Sequence, residues 1–180
     1  MEFRDVIDFW FNEIDQSSWW KKDDAFDQEC SDRFNAHHAA AAAGELWHWR
    51  VEPMGRLAEI ICLDQFSRNM FRDTPQSFAY DALALILSQE AIRAGADAAM
   101  SAQERSFLYI PHMHSESKLI HEEAVRLYSQ PGMDPNNLDF EMKHKAIIDR
   151  FGRYPHRNAI LGRTSTPEEE AFLKEDGSSF

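Results

Sequence analysis

The stretch RFGRYPHRNAILGR (Arg150–Arg163) holds four arginines and a histidine with no acid among them, in a chain whose formal net charge is −12. Arginine presents a rigid planar fork that holds a carboxylate or phosphate bidentately. Asparagine adds a donor and an acceptor, and histidine exchanges a proton near neutral pH. A second stretch, FSRNMFR (Phe66–Arg72), shares the pattern: in each, an Arg-Asn pair is followed within six residues by another arginine. Read as two loops of one chemistry, they would bring Arg68, Arg153, Arg157 and Arg163, with Asn69, Asn158, His114 and His156, around an anionic small molecule or peptide end. A third stretch, PHMHSESKLIHEE, adds His112, His114, Glu116, His121, Glu122 and Glu123. Its helical context would spread these groups around an axis, so no metal site is expected. The two E-x-x-H pairs, Glu45/His48 and Glu141/His144, lack companion glutamates on further helices, so a di-iron centre is not expected either. Cys30 and Cys62 both fall in apolar phase and read as small core residues. No cofactor is implied.

These groups need a scaffold, and composition says which kind. The chain has 21 alanines against three valines and three threonines, a balance that favours helices and leaves too few β-branched residues for an extensive sheet. Its 180 residues suffice for one domain with a substantial core. With 31 acids to 19 bases the overall field repels a phosphate backbone, so nucleic acid is not an expected partner, and no run approaches the apolar length of a membrane span. Two cysteines outside any C-x-x-C pattern, and an N-terminus unlike a signal peptide, point to the cytoplasm.

About eight helices follow from the periodicity. Phe3, Val6, Ile7, Trp10, Phe11 and Ile14 form the stripe of a first helix. Phe26, Cys30, Phe34 and Ala41 line a second, whose positive N-terminal end Asp23, Asp24 and Asp27 complement and which Gly44 closes. Leu57, Ile60 and Ile61 mark a third. Thr74–Pro75 is a start signal for a long helix through Leu83, Ile86, Leu87 and Ala91. Ser101 and Glu104 form a capping box, with Pro111 expected to end that helix. Ile120, Ala124, Leu127 and Tyr128 define another. Phe140, His144, Ile147, Ile148 and Phe151 share a face of the next, which Gly152 stops, and Thr166, Pro167 and Glu169 cap a last one. Residues 1–175 read as one all-α domain and 176–180 as a frayed tail.

Asp64 lies i+7, i+4 and i+3 from Leu57, Ile60 and Ile61, so the phase that buries those three carries a carboxylate inward. It needs a cation there, Arg68 or an arginine of the Arg150–Arg163 stretch. His144 points inward by the same reasoning. Trp19–Trp20 and Trp47–Trp49 fall in connections, where they cover helix ends or line a groove.

The segments VIDFWF, WWKKDDAFD, AAAGEL, GRLAEIICLDQFSRNMFRDTP, FLYIPHMHSE and RFGRYPHRNAILGRTSTPEE together resemble the bacterial family catalogued as domain of unknown function 924, from about Val6 to Leu173. The resemblance implies helix hairpins stacked as in tetratricopeptide-repeat folds, and no established activity. The family's shared motifs fall on Asp64, Gln65, Arg68 and Asn69, on His114, Ser115 and Glu116, and on Gly152, Arg153, Pro155–Asn158 and Gly162–Arg163. Ser67 stands where proline is expected, and Ser117 and His121 where an acid and a glutamine are more usual. Three readings remain open. The first is a binding module that uses Asp64, Arg68, Asn69, His114, Arg153, His156, Arg157, Asn158 and Arg163 for a carboxylate- or phosphate-bearing ligand. The second is a structural or protein-interaction scaffold held together by the same residues. The third is an enzyme with His156 or His114 exchanging a proton and Glu116 or Asp64 orienting it.

Overall fold

The computed structural model describes residues 1–178, and these residues are all-α, with no strand among them. Apolar spacing and caps set the elements. Helix α1 (Phe3–Asp8) runs on into a π-wound turn, Phe9–Glu13, and buries Phe3, Val6, Phe9 and Trp10. After a 3₁₀ turn at Gln16–Trp20, the Asp23 carboxylate accepts from the backbone N–H groups of Ala25 and Phe26 and opens α2 (Asp24–Ala42). Helix α3 (Pro53–Ile61), a π turn at Cys62–Phe66 and α4 (Ser67–Met70) form one continuous rod. The later helices are α5 (Asp81–Arg93), α6 (Ala102–Met113), α7 (Lys118–Tyr128), α8 (Pro135–Phe151) and α9 (Pro167–Phe172). Counting the rod once, the described residues hold eight helices.

The rod is central. Every side chain from 57 to 67 is buried, and α1, α2, α5 and α6 all pack against it. A helix apolar all round belongs in an interior, and this one takes Glu59 and Asp64 inside with it. Glu59 is met by a two-pronged Arg50 contact at 2.6 and 2.7 Å. Phe9, Phe34 and Phe66 stack nearby, with centroids 4.8 Å apart at each Phe34 contact. Close approach is possible at Gly55, where an added Cβ would sit 2.1 Å from the Trp49 carbonyl oxygen. A smaller apolar cluster of Ile147, Ile148, Tyr154 and Phe172, with Phe151 against it, lies apart from the main core.

Several expectations need correction. Thr74–Pro75 opens only a 3₁₀ turn, Pro75–Phe78, and α5 begins later, at Asp81. Pro111 lies inside α6, which continues to Met113. Ile86 and Phe140, assigned to buried stripes, are exposed, whereas Glu141 is buried. FSRNMFR is helical from Ser67 to Met70, not a loop. Of the tail, Ser178 is buried with its hydroxyl donating to the Leu173 carbonyl at 3.3 Å, and residues 179 and 180 lie outside the described residues. No helix is long and apolar enough to cross a membrane among the described residues.

Candidate functional site

The π turn at Cys62–Phe66 carries Asp64, which is fully buried. One oxygen of its carboxylate, Oδ1, lies 2.8 Å from His114 Nδ1 and 3.4 Å from Arg68 Nη1, and Oδ2 accepts from Gln65 Nε2 at 2.5 Å. Burial alone would raise the acid's pKa. Arg68, His114 and Gln65 outweigh it and hold Asp64 below the ordinary carboxylate range. The carboxylate can then only accept, so His114 Nδ1 carries the proton and Nε2 presents a lone pair. Burial and then the Arg68 charge lower the His114 pKa and keep the ring neutral.

Arg68 reaches further. Its two terminal nitrogens donate to Asp81 Oδ1 and Oδ2 at 2.9 and 3.0 Å, and Nη1 also donates to the Asp64 carbonyl. Asp81, in the first turn of α5, also receives Arg157 Nη1 at 3.1 Å. The two arginine-bearing stretches therefore meet on one carboxylate. The Arg157 guanidinium lies 4.6 Å from the ring centroids of both Phe78 and Tyr154. Its side chain is 7% exposed, and its buried Nε has no hydrogen-bond partner. Burial, then the charge of Arg68, lowers its pKa.

The segment carrying Arg157 has the backbone expected from its composition: Gly152 and Gly162 take φ of 69° and 66°, and Tyr154, ahead of Pro155, is extended. Each of its four arginines faces an acid from elsewhere. Arg150 meets Glu168, Arg153 holds Glu169 at 2.6 and 2.8 Å, Arg157 meets Asp81, and Arg163 holds Glu116 at 2.6 and 2.9 Å. Arg163 Nε also donates to Asn158 Oδ1, whose amide nitrogen donates to Ser165 Oγ. Glu116 further accepts the Tyr154 backbone N–H at 2.8 Å. His156, beside Tyr154 at 5.5 Å between centroids, has a buried Nδ1 without a partner, and burial followed by the Arg157 charge pushes its pKa down to about 4.

Asp64, Arg68, His114, Arg157 and His156 are thus brought to one neighbourhood. Arg153, Asn158, Arg163 and Glu116 surround it with their polar atoms engaged by the protein itself. Asn69 is not part of it: its amide nitrogen donates to Asp27 on α2 at 2.8 Å, beside an Arg72 fork on the same carboxylate. His144 is buried with Nδ1 at the Phe140 carbonyl, as its phase implied. His112, His114 and Glu116 diverge, toward Ser88, Asp64 and Arg163, and no group of three or more His, Cys, Asp or Glu is arranged for a metal among the described residues.

Sequence reasoning missed Asp81 and Phe78, named Gln65 only as part of a shared motif, and did not pair His121 with Glu141, both of which are fully buried. His121 Nδ1 lies 2.7 Å from Glu141 Oε1, and Nε2 lies 2.8 Å from the Ser115 carbonyl oxygen. A carbonyl only accepts, so Nε2 carries a proton, and one further proton lies between Nδ1 and the carboxyl group. The signal was present in the chain: Glu141 is i+3 from Leu138 and i−7 from Ile148, on the face that holds His144.

The fold and this cluster define a class: an all-α protein with a buried Asp–His–Arg constellation closed by an arginine-rich turn. The chain belongs to the family described as a bacterial protein of unknown function, DUF924, whose profile matches residues 6–177. A solved structure of a protein of unknown function from Agrobacterium tumefaciens is similar to it, at 41% identity over 96% of each chain and a TM-score of 0.90. No curated protein matches the chain.

Proposed function

We propose that the protein is a helical binding module for a carboxylate- or phosphate-bearing small molecule or peptide end, received where Arg157, His114 and His156 converge. The observation that carries this reading is Arg157: a buried guanidinium with one 3.1 Å contact, made to a carboxylate that already takes both prongs of Arg68. Arg68 and Arg157 share Asp81 there, with Asp64 also 3.4 Å from Arg68, and Arg157 Nε and His156 Nδ1 have no hydrogen-bond partner among the described residues. An incoming anion would give Arg157 the charge-assisted partner that its Nε lacks. Arg153, Asn158 and Arg163 act as positioning residues that hold the turn. The helices fit a tetratricopeptide-like stack, in which α5 packs on α6, α6 on α7 and α7 on α8. Buried, unpaired Cys30 and Cys62 suit a reducing cytoplasm.

The test is thermal denaturation with phosphate, acetate, succinate and citrate at constant ionic strength. At least one anion should raise Tm, and Arg157→Lys should weaken that ligand about tenfold or more, because the planar fork is lost, while helical circular dichroism is retained. If no anion raises Tm, or Arg157→Lys responds as the parent does, the reading fails. A second reading, acid–base catalysis, is favoured by the 2.8 Å His114–Asp64 contact, which orients an imidazole with its Nε2 lone pair available. Release of nitrophenolate from 4-nitrophenyl phosphate or acetate, lost in His114→Asn, would decide for it.

A further inference from the structure

An open groove of about 420 Å³ runs between α2 and the segment from Phe71 to Tyr80, lined by residues that the anion site does not use. That volume lies in the range of small-molecule sites. On the α2 side, Ala39, Ala42 and Ala43 contribute only methyl groups, so the space beside the helix stays open. The facing wall is aromatic: Phe71 and Tyr80 stand edge-on to the His38 ring of α2, at 5.2 Å and 65° and at 5.3 Å and 75°. No lining residue is charged, in a chain where 28% of residues are. A charged guest would lose its hydration without gaining an ionic partner.

The hydrogen-bonding character of the wall follows from one hydroxyl. Ser67 is fully buried, and its single proton goes to the Leu63 carbonyl at 2.6 Å. Ser67 Oγ must therefore accept from His38 Nε2, 2.8 Å away. With Nε2 the protonated nitrogen, Nδ1 of neutral His38 is a bare acceptor. It has no hydrogen-bond partner among the described residues and is not among the sealed polar atoms, although the residue is only 4% exposed. Burial lowers the His38 pKa and keeps this tautomer neutral. Asn35, Gln76 and the Tyr80 hydroxyl, also on the wall, have no side-chain hydrogen bonds to the described residues, and each offers both a donor and an acceptor.

From these features we infer a second binding site, for a neutral, flat nitrogen heterocycle of the nucleobase or nicotinamide type. Its face stacks on Phe71 or Tyr80, and an edge N–H donates to His38 Nδ1 while Gln76 and Asn35 complete the edge. The inference is independent of the anion site and can fail or hold without it.

The experiment is saturation-transfer and amide-shift NMR with adenine and nicotinamide as probes, and benzoate and toluene as charged and apolar controls. Adenine or nicotinamide should bind with a Kd of roughly millimolar or tighter, shifting amides in the second half of α2 and from Phe71 to Tyr80. Ala39→Phe fills the space from an exposed helix position and should abolish binding. Gln76→Leu, also exposed and so safe for folding, should weaken it about threefold to tenfold. Absence of binding by both heterocycles, equal binding by benzoate or toluene, or binding unchanged in both variants would overturn the proposal.

Discussion

His112, His144 and His156 are bases held neutral, pushed down to about 4, 3 and 4, chiefly by burial. In the unfolded chain each titrates near about 6.5. Between that value and about 4 the unfolded state binds more protons than the folded one, so stability falls as pH falls, by up to about 1.4 kcal/mol per pH unit for each histidine. The urea midpoint should therefore drop steadily from pH 7 to pH 4.5, and His156→Gln should flatten the profile. Asp64 acts lower down: its depressed pKa gives stability that is present above about 3.9 and lost only below it. Asp81 is the second residue to test. Asp81→Asn leaves Arg68 and Arg157 facing each other, and should cost about 3 kcal/mol or more, read by urea denaturation. Its coupling with Arg157→Met, measured by a double-mutant cycle, should be strong. Asp64 was legible because its phase contradicts its polarity. Asp81 was not, because an acid in the first turn of a helix already has a local reason to be there.

Among the elements, two glycines make opposite demands. Gly152 ends α8 at φ 69° with open space where a Cβ would go, so Gly152→Ala should cost about 1 kcal/mol, from the backbone alone. Gly55 has a helical backbone and no room: Gly55→Ala would press on the Trp49 carbonyl and displace the 3₁₀ turn Trp47–Val51 from α3, a cost above about 2 kcal/mol. Urea midpoints for the two variants test that order. Gly152 could be read as a stop from sequence, since it follows a periodic run. Gly55 could not, because only the fold brings Trp49 against it. Pro111 misled for a related reason. Proline removes one intrahelical donor, but α6 closes beyond it with the His114 N–H on the Ile110 carbonyl at 3.1 Å, so the turn survives. At Cys62–Phe66 the wide turn keeps Asp64 and Arg68 on one side of a rod whose residues 57 to 67 are all inside.

At the scale of the molecule, the helical class was written in the excess of alanine over β-branched residues, whereas the meeting of Arg68 with Arg157 depends on contacts 76 residues apart in sequence, between Asp81 and Arg157, which no local pattern encodes. The segment from Arg153 to Phe172 is fastened to the body largely by ions and polar atoms: Glu116 on Arg163 and Tyr154, Asp81 on Arg157, and the Tyr154 hydroxyl on the Met113 carbonyl. Its apolar contribution is the small cluster around Tyr154 and Phe172. Lifting it would uncover little hydrocarbon, and the sensitivity of an opening to urea scales with the surface it uncovers. Amide exchange from 153 to 172 should thus depend weakly on urea and strongly on ionic strength, whereas exchange in the central rod should follow global unfolding. A latch of this sort should yield to electrolyte sooner than to denaturant, the arginine-rich turn coming away from Asp81 while the aromatic interior stays shut.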